Sequence, residues 1–259
     1  MILDEIIADK RRVHELREPI AIELLWRRVR ALAPARSLAA ALRDPQRRAP
    51  RAIAEFKRRS PSAGVIRADA DPALTASAYA RAGAAALSIL TNERFFGAHR
   101  EDLQRARSAA AIPVLRKDFL LDARDVLEAR LGGADAALLI VRILPGEQLV
   151  ALVRVAGEAG IDVLVEAHTD EEIDVALASG ARMIGVNHRD LDTLTIDLSL
   201  SARARSRVGP SVILIAESGI RTAADVARMR EHGADAILVG ESLMRAPDPG
   251  AALKELLQC

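Results

Sequence analysis

The sequence predicts an α/β fold, a (β/α)8 TIM barrel with an N-terminal helical extension. Three observations lead to this prediction. Eight short apolar runs follow one another after residue 50, helix-start signals lie between them, and a recurring phrase ends a helical stretch in Gly before the next apolar run. The phrase occurs at Gly83, Gly133, Gly180 and Gly233, where glycine relieves the left-handed turn that ends a helix. Strand and helix thus alternate eight times, as in a parallel barrel.

The apolar runs are rich in aliphatic and β-branched residues and are short enough to be buried strands. They span residues 52–56, 85–90, 113–115, 136–141, 162–165, 183–186, 212–216 and 236–239. A doubly wound open sheet is the alternative arrangement. It would usually have a glycine-rich dinucleotide loop after its first strand, whereas this chain has KRRSP at residues 57–61.

Three helices between the strands have start signals with a physical basis. A side chain that accepts hydrogen bonds from the first free N–H groups stabilises a helix N-terminus, and proline fits the first helical position. The signals are Asp71 before Pro72, Thr169 with Glu172 as a capping box, and Thr222 with Asp225 three residues on.

Residues 1–48 precede the first strand and are predicted to form a helical extension packed on the barrel, within a single domain of residues 1–259. Apolar residues such as Ile6 and Trp26 lie among charges there, and the apolar face of such a helix normally packs on the body of the protein. Two roles are open: packing alone, or covering the mouth of the barrel.

Charge and composition argue against several classes of protein. The chain has 37 basic and 36 acidic residues, one Trp and one Tyr, so it offers neither a basic surface nor an aromatic platform for nucleic acid. Its only cysteine, Cys259, excludes an internal disulfide and a cysteine-based metal cluster and fits a reducing compartment. Frequent charges near the N-terminus argue against a signal sequence or a membrane span. We therefore expect a cytoplasmic protein that binds neither nucleic acid nor membrane.

Lys57 and Lys117 are the only lysines between Lys10 and Lys254, in a chain whose positive charge is otherwise arginine. Arginine stays protonated near neutral pH, whereas lysine can be tuned by its surroundings to act as an acid, a base or a nucleophile. Both lysines end apolar runs, where a charge either meets solvent or faces a site. They are the first candidates for chemistry.

Polar residues gather at the predicted carboxyl ends of the strands, where barrels of this kind build their active sites. Glu55 and Lys57 are two residues apart and so point to the same side of the first strand. The full set is Glu55, Lys57, Lys117, Glu166, Asn187, Arg189, Glu217, Ser218 and Gly240. Structural ion pairing is the alternative for each residue alone, but packing does not require charge at so many strand ends on one face.

Two glycine-containing segments after the seventh and eighth strands predict an anion site. They are ESGI at residues 217–220, ahead of a helix near Thr222, and VGES at residues 239–242, ahead of a short turn at Leu243 and Met244. Glycine lets the backbone approach an anion, and N–H groups at a helix start point toward it. Considered singly, each glycine is explained by the turn that follows a strand. Together, at the usual phosphate station of this fold, they predict a sugar phosphate.

The five histidines show no metal-ligand spacing, and no metal site is predicted. His168 and His188 follow strand ends, yet a solvated loop position is the preferred interpretation for each histidine. Phe95, Phe96 and Phe119 lie past the second and third strands. They indicate either an apolar portion of the substrate or a packing cluster in the loops.

Over nearly its whole length the chain resembles the indole-3-glycerol phosphate synthase family of the tryptophan pathway. The matching phrases are IAEFK at residues 53–57 with SPS at 60–62, AAALSILT at 84–91, VLRKDF at 114–119, VLVE at 163–166, GVNHRDL at 185–191, ESGI at 217–220 and VGESLM at 239–244. The opening ILDEII at residues 2–7 is similar to a family helix that lies over the active site in relatives.

The resemblance implies a carboxy-lyase that acts without a metal or cofactor. Its small-molecule substrate, 1-(2-carboxyphenylamino)-1-deoxyribulose 5-phosphate, would give indole-3-glycerol phosphate, carbon dioxide and water. Lys117 is implied as the general acid that protonates the ketone oxygen, and Glu166 as the general base or proton relay for later steps. Lys57 would meet the anionic groups of the substrate and could also serve in dehydration.

The resemblance also implies residues that hold the substrate and its intermediates. These are Glu55 and Asn187 for the intermediates, Glu217 and Ser218 for the substrate, Phe96, Phe119, Leu138 and Leu191 around the anthranilate ring, and the backbones of Ser218, Gly219, Gly240 and Glu241 at the phosphate, with Ser60 and Arg189 as further contacts. Departures from the family pattern concern the loops: His188 stands where Asn is usual, Ala98 and His99 replace a glycine-serine turn, and Arg124 takes a commonly aromatic place.

Three other functions remain as alternatives. A Schiff-base aldolase would also use a strand-end lysine in a phosphate-binding barrel. A phosphoribosylanthranilate isomerase would have a cysteine at the end of the first strand, where Glu55 and Lys57 stand, and a regulatory barrel would need no acid and base. We expect a monomer or weak homo-oligomer. A channelling partner and the mobility of the loop at residues 58–66 stay open.

Overall fold

The structure is a computed structural model that describes residues 2–43 and 50–258. The predicted end of the extension at residue 48 and the interpretation of Cys259 fall outside the described residues. Within the described ranges, no helix has the length and apolar character needed to cross a membrane.

Eight parallel strands close into a barrel in which each strand pairs with the next and the last pairs with the first. The strands are β1 (Arg51–Phe56), β2 (Ala86–Leu90), β3 (Val114–Lys117), β4 (Ala136–Ile140), β5 (Asp162–Ala167), β6 (Met183–Asn187), β7 (Ile213–Glu217) and β8 (Ala236–Val239). The predicted (β/α)8 barrel and its eight strands are confirmed to within two residues at each end. The open-sheet alternative is wrong, because β1 pairs with β8, aligning Arg51 with Ala236.

Several strands extend further at their carboxyl ends than the apolar runs predict. Lys117, Asn187 and Glu217 are the last residues of β3, β6 and β7. The ladder aligns Leu90 with Lys117 and Asn187 with Glu217. Pairing between backbones continues where the side chains become polar, and these side chains therefore start from a rigid sheet.

Helices alternate with the strands, and three more precede the barrel. The extension contains α1 (Ile2–Glu15), α2 (Ile22–Arg30) and α3 (Leu38–Leu42), and the later helices are α4 (Pro72–Arg81), α5 (Glu93–Phe96), α6 (Asp102–Ala109), α7 (Ala123–Leu131), α8 (Gly146–Glu158), α9 (Asp170–Ala178), α10 (Leu200–Arg207), α11 (Ala223–Glu231), α12 (Glu241–Arg245) and α13 (Pro249–Leu256). A short antiparallel hairpin of Arg59–Ser60 and Gly64–Val65 follows β1, and a 3-10 helix, Val141–Ile143, follows β4. The turn predicted at Leu243 and Met244 lies within α12.

Several helix ends follow the predicted signals. Asp71 accepts hydrogen bonds from the first turn of α4, and Thr222 with Asp225 forms a complete capping box at α11. The glycines that follow four helices have φ between 78° and 98°, in the left-handed region: Gly83, Gly133, Gly180 and Gly233. Local sequence therefore sets where these helices begin and end.

Alternate residues of β1 face opposite sides of the barrel wall. Ile53 packs in the apolar cluster that fills the interior, whereas Ala54 and Phe56 pack between the strands and the surrounding helices. Glu55 points to the same side as Ile53. Its carboxylate therefore enters the barrel, above the apolar interior and toward the carboxyl ends of the strands.

The N-terminal helices lie over both ends of the barrel. Leu38 and Leu42 of α3 join the interior cluster, and the backbone N–H of Ala39 donates to Asp162, the first residue of β5, at 3.0 Å. Helix α3 thus closes the end where the strands begin. At the opposite end α1 covers the mouth, with three aliphatic side chains on the cavity: Ile2, Leu3 and Ile6.

Candidate active site

A cavity of about 700 Å³ opens at the carboxyl ends of the strands. It brings together every residue that the sequence analysis proposes for catalysis or substrate binding. These are Glu55, Lys57, Ser60, Phe96, Lys117, Phe119, Leu138, Glu166, Asn187, Arg189, Leu191, Glu217, Ser218, Gly219, Gly240 and Glu241. They come from segments far apart in the chain, and closure of the barrel makes them neighbours.

Glu55 and Lys57 form an ion pair, with 2.7 Å between Lys57 Nζ and Glu55 Oε1. The other carboxylate oxygen of Glu55 accepts from Ser88 Oγ, on the neighbouring strand β2, at 3.1 Å. A buried carboxylate needs such partners to offset its lost hydration. Because both oxygens are engaged, the orientation of Glu55 is fixed, and Lys57 has N–H groups left for a ligand.

Gly240 provides the space that Glu55 occupies. A Cβ at residue 240 would lie 2.7 Å from Oε1 and 2.8 Å from Cβ of Glu55. Any larger residue would therefore displace the carboxylate or the backbone of β1. Gly240 is predicted to bind an anion, and the close approach of Glu55 gives a second reason for glycine at this position.

Lys117 lies between two carboxyl groups. Its ammonium pairs with Glu166 and is 3.3 Å from Oε2 of Glu217. Burial disfavours the charged ammonium, but Glu166, Glu217 and Glu55 together outweigh burial and raise the pKa of Lys117 well above its ordinary value. Lys117 is therefore fully protonated at neutral pH.

The two carboxyl groups beside Lys117 have opposite pKa shifts. Burial would raise the pKa of Glu166, but Lys117 and His168 outweigh it and hold that pKa well below its ordinary value. Burial raises the pKa of Glu217 to about 8, with Lys117 opposing the shift and Glu166 adding to it. At neutral pH one ionised and one protonated carboxyl group therefore flank the ammonium, and they can take different acid-base roles.

The prediction that His168 is a solvated loop residue is wrong. Its ring is fully buried, with Nε2 3.2 Å from Glu166 Oε1 and Nδ1 3.1 Å from Glu172 Oε2. The same oxygen of Glu166 accepts from Asn187 Nδ2 at 3.3 Å. The cause lies at the start of α9, where Glu172 turns its carboxylate to the backbone N–H of His168 at 2.7 Å. The capping box predicted for Thr169 and Glu172 is consequently only half formed.

His188 is also buried, so its prediction as a solvated loop residue is wrong as well. Its Nδ1 is 2.9 Å from the carbonyl oxygen of Ser218, and its Nε2 is 2.6 Å from Ser201 Oγ. Burial lowers the pKa of His188, and the ring is neutral. A carbonyl can only accept, so Nδ1 donates to Ser218 while Nε2 accepts from Ser201. His188 thereby supports the backbone at the predicted phosphate station.

The phosphate station has an unusual backbone conformation. Ser218 and Gly219 both have positive φ, 67° and 78°, which is uncommon for a residue other than glycine. A Cβ at Gly219 would lie 2.7 Å from Cγ2 of Ile196, so this position also needs glycine. The residue that follows Gly240 begins α12, and the first N–H groups of a helix have no partner within it.

An apolar wall faces the charged cluster. The ring centroids of Phe96 and Phe119 are 6.2 Å apart, and both rings line the cavity with Leu138 and Leu191. Phe95 instead packs against the guanidinium of Arg94, 5.2 Å from the ring centroid. Two of the three loop phenylalanines thus face the cavity, which accommodates a flat apolar group on that side.

Some cavity residues were not assigned individually to the site from the sequence. They include Ile2, Leu3, Ile6, Pro61, Asp118, Leu194, Arg221, Ser242 and Arg245. The sequence left two roles open for the N-terminal extension, and α1 takes the second, covering the mouth with its aliphatic face. Arg221 and Arg245 follow the two glycine segments closely, and in an arginine-rich chain nothing distinguishes them from surface residues.

The loop at residues 58–66 is anchored at its base. The buried guanidinium of Arg58 pairs with Asp102 and donates to the carbonyl oxygen of Ala70 at 3.2 Å. Backbone hydrogen bonds from Ile66 and Arg67 to the carbonyl of Arg58 close the hairpin. The base is therefore fixed, and the tip with Pro61 lines the cavity.

Among the described residues, one cluster has the side chains and spacing of metal ligands: His14, Asp122 and Asp125. The ring nitrogens of His14 lie 3.3 and 3.2 Å from the two carboxylates, and the guanidinium of Arg17 donates to Asp125. These contacts form an ion-pair network that holds the end of α1 to the start of α7. None of the four residues lines the cavity.

Comparisons with known proteins match the chain to one family. A family model described as "Indole-3-glycerol phosphate synthase" matches residues 3–256. "Indole-3-glycerol phosphate synthase 2" of Streptomyces coelicolor is 50% identical over 227 residues, covering 88% of this chain and 87% of the relative. Two further relatives named indole-3-glycerol phosphate synthase are each 42% identical. The one from Syntrophobacter fumaroxidans covers 98% of this chain and 96% of its own length, and the one from Kineococcus radiotolerans covers 99% and 94%.

One solved structure is similar in fold alone. A crystal structure of a mandelate oxidase variant aligns with a TM-score of 0.60 at 19% identity, covering 81% of this chain and 71% of the other. At that identity the likeness extends to the barrel and not to its chemistry.

Proposed function

The chain belongs to the indole-3-glycerol phosphate synthase family, and from this premise we propose which of its residues carry out the reaction. The reaction is that of a carboxy-lyase, in which 1-(2-carboxyphenylamino)-1-deoxyribulose 5-phosphate gives indole-3-glycerol phosphate, carbon dioxide and water. One observation carries the proposal: an ammonium, Lys117, lies in the cavity between Glu166 and Glu217.

Lys117 acts as the general acid of ring closure. The ring carbon that bears the carboxylate attacks the ketone carbon, and the ketone oxygen becomes an alkoxide that needs a proton. The raised pKa keeps the proton on Lys117 until that stronger base forms. General acid catalysis of this kind contributes about 10²- to 10⁴-fold in rate.

Glu166 acts as the general base of the later steps. Loss of carbon dioxide restores the aromatic ring, the hydroxyl then leaves as water, and the methylene carbon beside the nitrogen gives up a proton. The lowered pKa keeps Glu166 ionised and able to accept that proton, and its contact with Lys117 offers a path for passing it on. Lys57, the second ammonium of the cavity, meets the anionic groups of the substrate and serves in dehydration.

The remaining residues hold the substrate. The anthranilate ring fits the apolar wall, and the phosphate fits the glycine segments across the mouth. We assign Phe96, Phe119, Leu138 and Leu191 to the ring, the backbones of Ser218, Gly219, Gly240 and Glu241 to the phosphate, Glu217 and Ser218 to support of the substrate, Glu55 and Asn187 to the intermediates, and Ser60 and Arg189 to further polar contacts.

The test is a fluorescence assay of indole formation from the anilino-deoxyribulose phosphate. We expect activity in the wild type and a loss of at least ~10²-fold in kcat for Lys117→Ala and for Glu166→Gln. Lys254→Ala is the matched control, because Lys254 is an exposed residue of α13, and it should keep wild-type activity. Near-normal kcat in either active-site variant would refute the assigned roles.

A Schiff-base aldolase needs a neutral amine as its nucleophile. Two carboxyl groups hold Lys117 in its protonated form, which opposes that chemistry. Borohydride treatment in the presence of a keto-sugar phosphate should therefore leave Lys117 unmodified. A covalent adduct on Lys117 would favour the aldolase instead.

We also propose a cytoplasmic location and a monomer or weak homo-oligomer. The single cysteine of the chain supports a reducing compartment. All residues assigned to the reaction come from one chain, as do the residues of α1 that cover the mouth, which supports a site complete within one copy. Analytical ultracentrifugation of the full chain tests the assembly state.

A further inference from the structure

His168 lies beside Glu166 but takes no part in the mechanism above. Its ring is fully buried and spans two carboxylates, with Nε2 3.2 Å from Glu166 Oε1 and Nδ1 3.1 Å from Glu172 Oε2. Nε2 makes no hydrogen bond of good geometry among the described residues. A buried nitrogen in that state is unfavourable, and a small shift of the Glu166 carboxylate toward the ring would provide its partner.

The charges that face the ring hold it in the imidazolium form. Burial would lower the pKa of His168, but Glu166 and Glu172 outweigh it and raise that pKa to about 9. Behind them, Lys117 on β3 pairs with Glu166. Arg142, in the 3-10 helix after β4, holds the second oxygen of Glu172 at 3.0 Å and also lies 3.4 Å from Asp192, after β6. The Nε2 proton of this imidazolium therefore lies next to the Glu166 carboxylate.

The reaction assigned to this site consumes one proton per turnover. Ring closure adds a proton to the ketone oxygen, and a second proton leaves with the hydroxyl as water. The methylene carbon gives up one proton to the enzyme. The release of carbon dioxide from the carboxylate transfers no proton. After each turnover the buried acid-base groups therefore hold one proton fewer than before, and this proton must be replaced.

We propose that His168 supplies this proton through Glu166, as a positioning residue of the acid-base pair; the inference rests on the proposed function. The N–H bond at Nε2 breaks and an O–H bond forms on Glu166, which passes the proton to the neutral amine that ring closure leaves on Lys117. The imidazole ring becomes neutral, and its remaining proton stays on Nδ1, which donates a hydrogen bond to Glu172. After product release, buffer acid or hydronium that enters the open cavity restores the imidazolium.

Two variants test the inference. His168→Gln keeps an amide donor near the place of Nε2 but cannot store a proton. We expect its kcat to fall about 10- to 100-fold with little change in KM, and to recover in part as the concentration of a small buffer acid is raised. Glu172→Gln keeps His168 but removes one of the carboxylates that hold its proton. Since that proton is then lost more easily, the alkaline fall in kcat, near pH 9 in the wild type, should move to lower pH.

The control is Glu171→Gln, at an exposed neighbouring position of α9, which should leave the profile of kcat against pH unchanged. The inference is overturned if Glu172→Gln keeps the wild-type profile, or if His168→Gln keeps the wild-type kcat. Should His168→Gln not fold, the profile of Glu172→Gln still decides. Lack of indole formation by the wild type would refute the proposed function instead, so the two failures are distinguishable.

Discussion

Gly185 leaves open the space into which Glu217 extends its carboxyl group. The two residues lie on the neighbouring strands β6 and β7, and a Cβ at residue 185 would be 2.1 Å from Oε1 of Glu217. It would also be 3.2 Å from Cδ1 of Leu164, in the barrel interior. The position of a carboxyl group beside Lys117 thus depends on a residue that has no side chain.

We predict that Gly185→Ala preserves the fold but impairs the reaction. The added methyl group must push Glu217 away from Lys117, and a displacement of about 1 Å in an active site can cost about 10²-fold in rate. The measurement is kcat/KM, with circular dichroism to verify folding. Gly157→Ala is the control, because a Cβ there meets nothing within 4 Å in the helix α8. That variant should be fully active and more stable by about 0.5–1 kcal/mol, and equal activity of the two variants would contradict the prediction.

The raised pKa of Glu217 predicts a pH dependence of substrate capture. Glu217 is protonated below pH 8 and ionised above it. Ionisation would add a second negative charge beside Glu166, in a cavity that must receive a carboxylate and a phosphate. We therefore expect kcat/KM to fall as pH rises through about 8, since this quantity reports the free enzyme.

Glu217→Gln tests the assignment of that fall. The amide has the shape of the protonated carboxyl group but does not ionise. In this variant kcat/KM should no longer fall as pH rises through about 8, whatever its absolute value. If kcat/KM of Glu217→Gln still falls there, another group is responsible for the pH dependence.

The barrel and the identity of the site residues could be predicted because both depend on local patterns. Period and length of the apolar runs define the strands, glycines define the helix ends, and the fold itself determines which ends of the strands carry the site. Lys117 illustrates this: a lysine that ends a buried strand either meets solvent or faces a site. The polar residues at the other strand ends favour the site.

The partners of those residues could not be predicted, because they depend on how the barrel closes. Lys117 meets Glu166 and Glu217 from β5 and β7, and no local pattern specifies which strand ends face each other across the mouth. The prediction for His188 is wrong for the same reason, because its partner Ser218 follows a different strand. His168 is a different case, since its partners Glu166 and Glu172 are near it in sequence and Glu172 is predicted only as a helix cap.

The N-terminal helix gives a last prediction, which concerns binding more than chemistry. Lys10 of α1 is buried and donates to Asp118 Oδ2 at 2.9 Å, an oxygen that also accepts from Arg116 and Thr91. Asp118 follows Lys117 directly and itself lines the cavity. Burial would raise the pKa of Asp118, but Arg116 and Lys10 outweigh it and hold that pKa well below its ordinary value. The ion pair thus ties α1 to the loop beside the general acid.

We expect Lys10→Met to loosen α1 and weaken substrate binding. Breaking a buried ion pair from one side costs about 3–5 kcal/mol, and the aliphatic residues of α1 would no longer cover the mouth. KM should rise about tenfold, the equivalent of about 1.4 kcal/mol in binding, while kcat changes less because Lys117 and Glu166 stay in place on their strands. Arg11→Met, at the exposed next position of α1, is the matched control and should keep the wild-type KM. A wild-type KM in Lys10→Met would mean that the helix covers the cavity without contributing to binding.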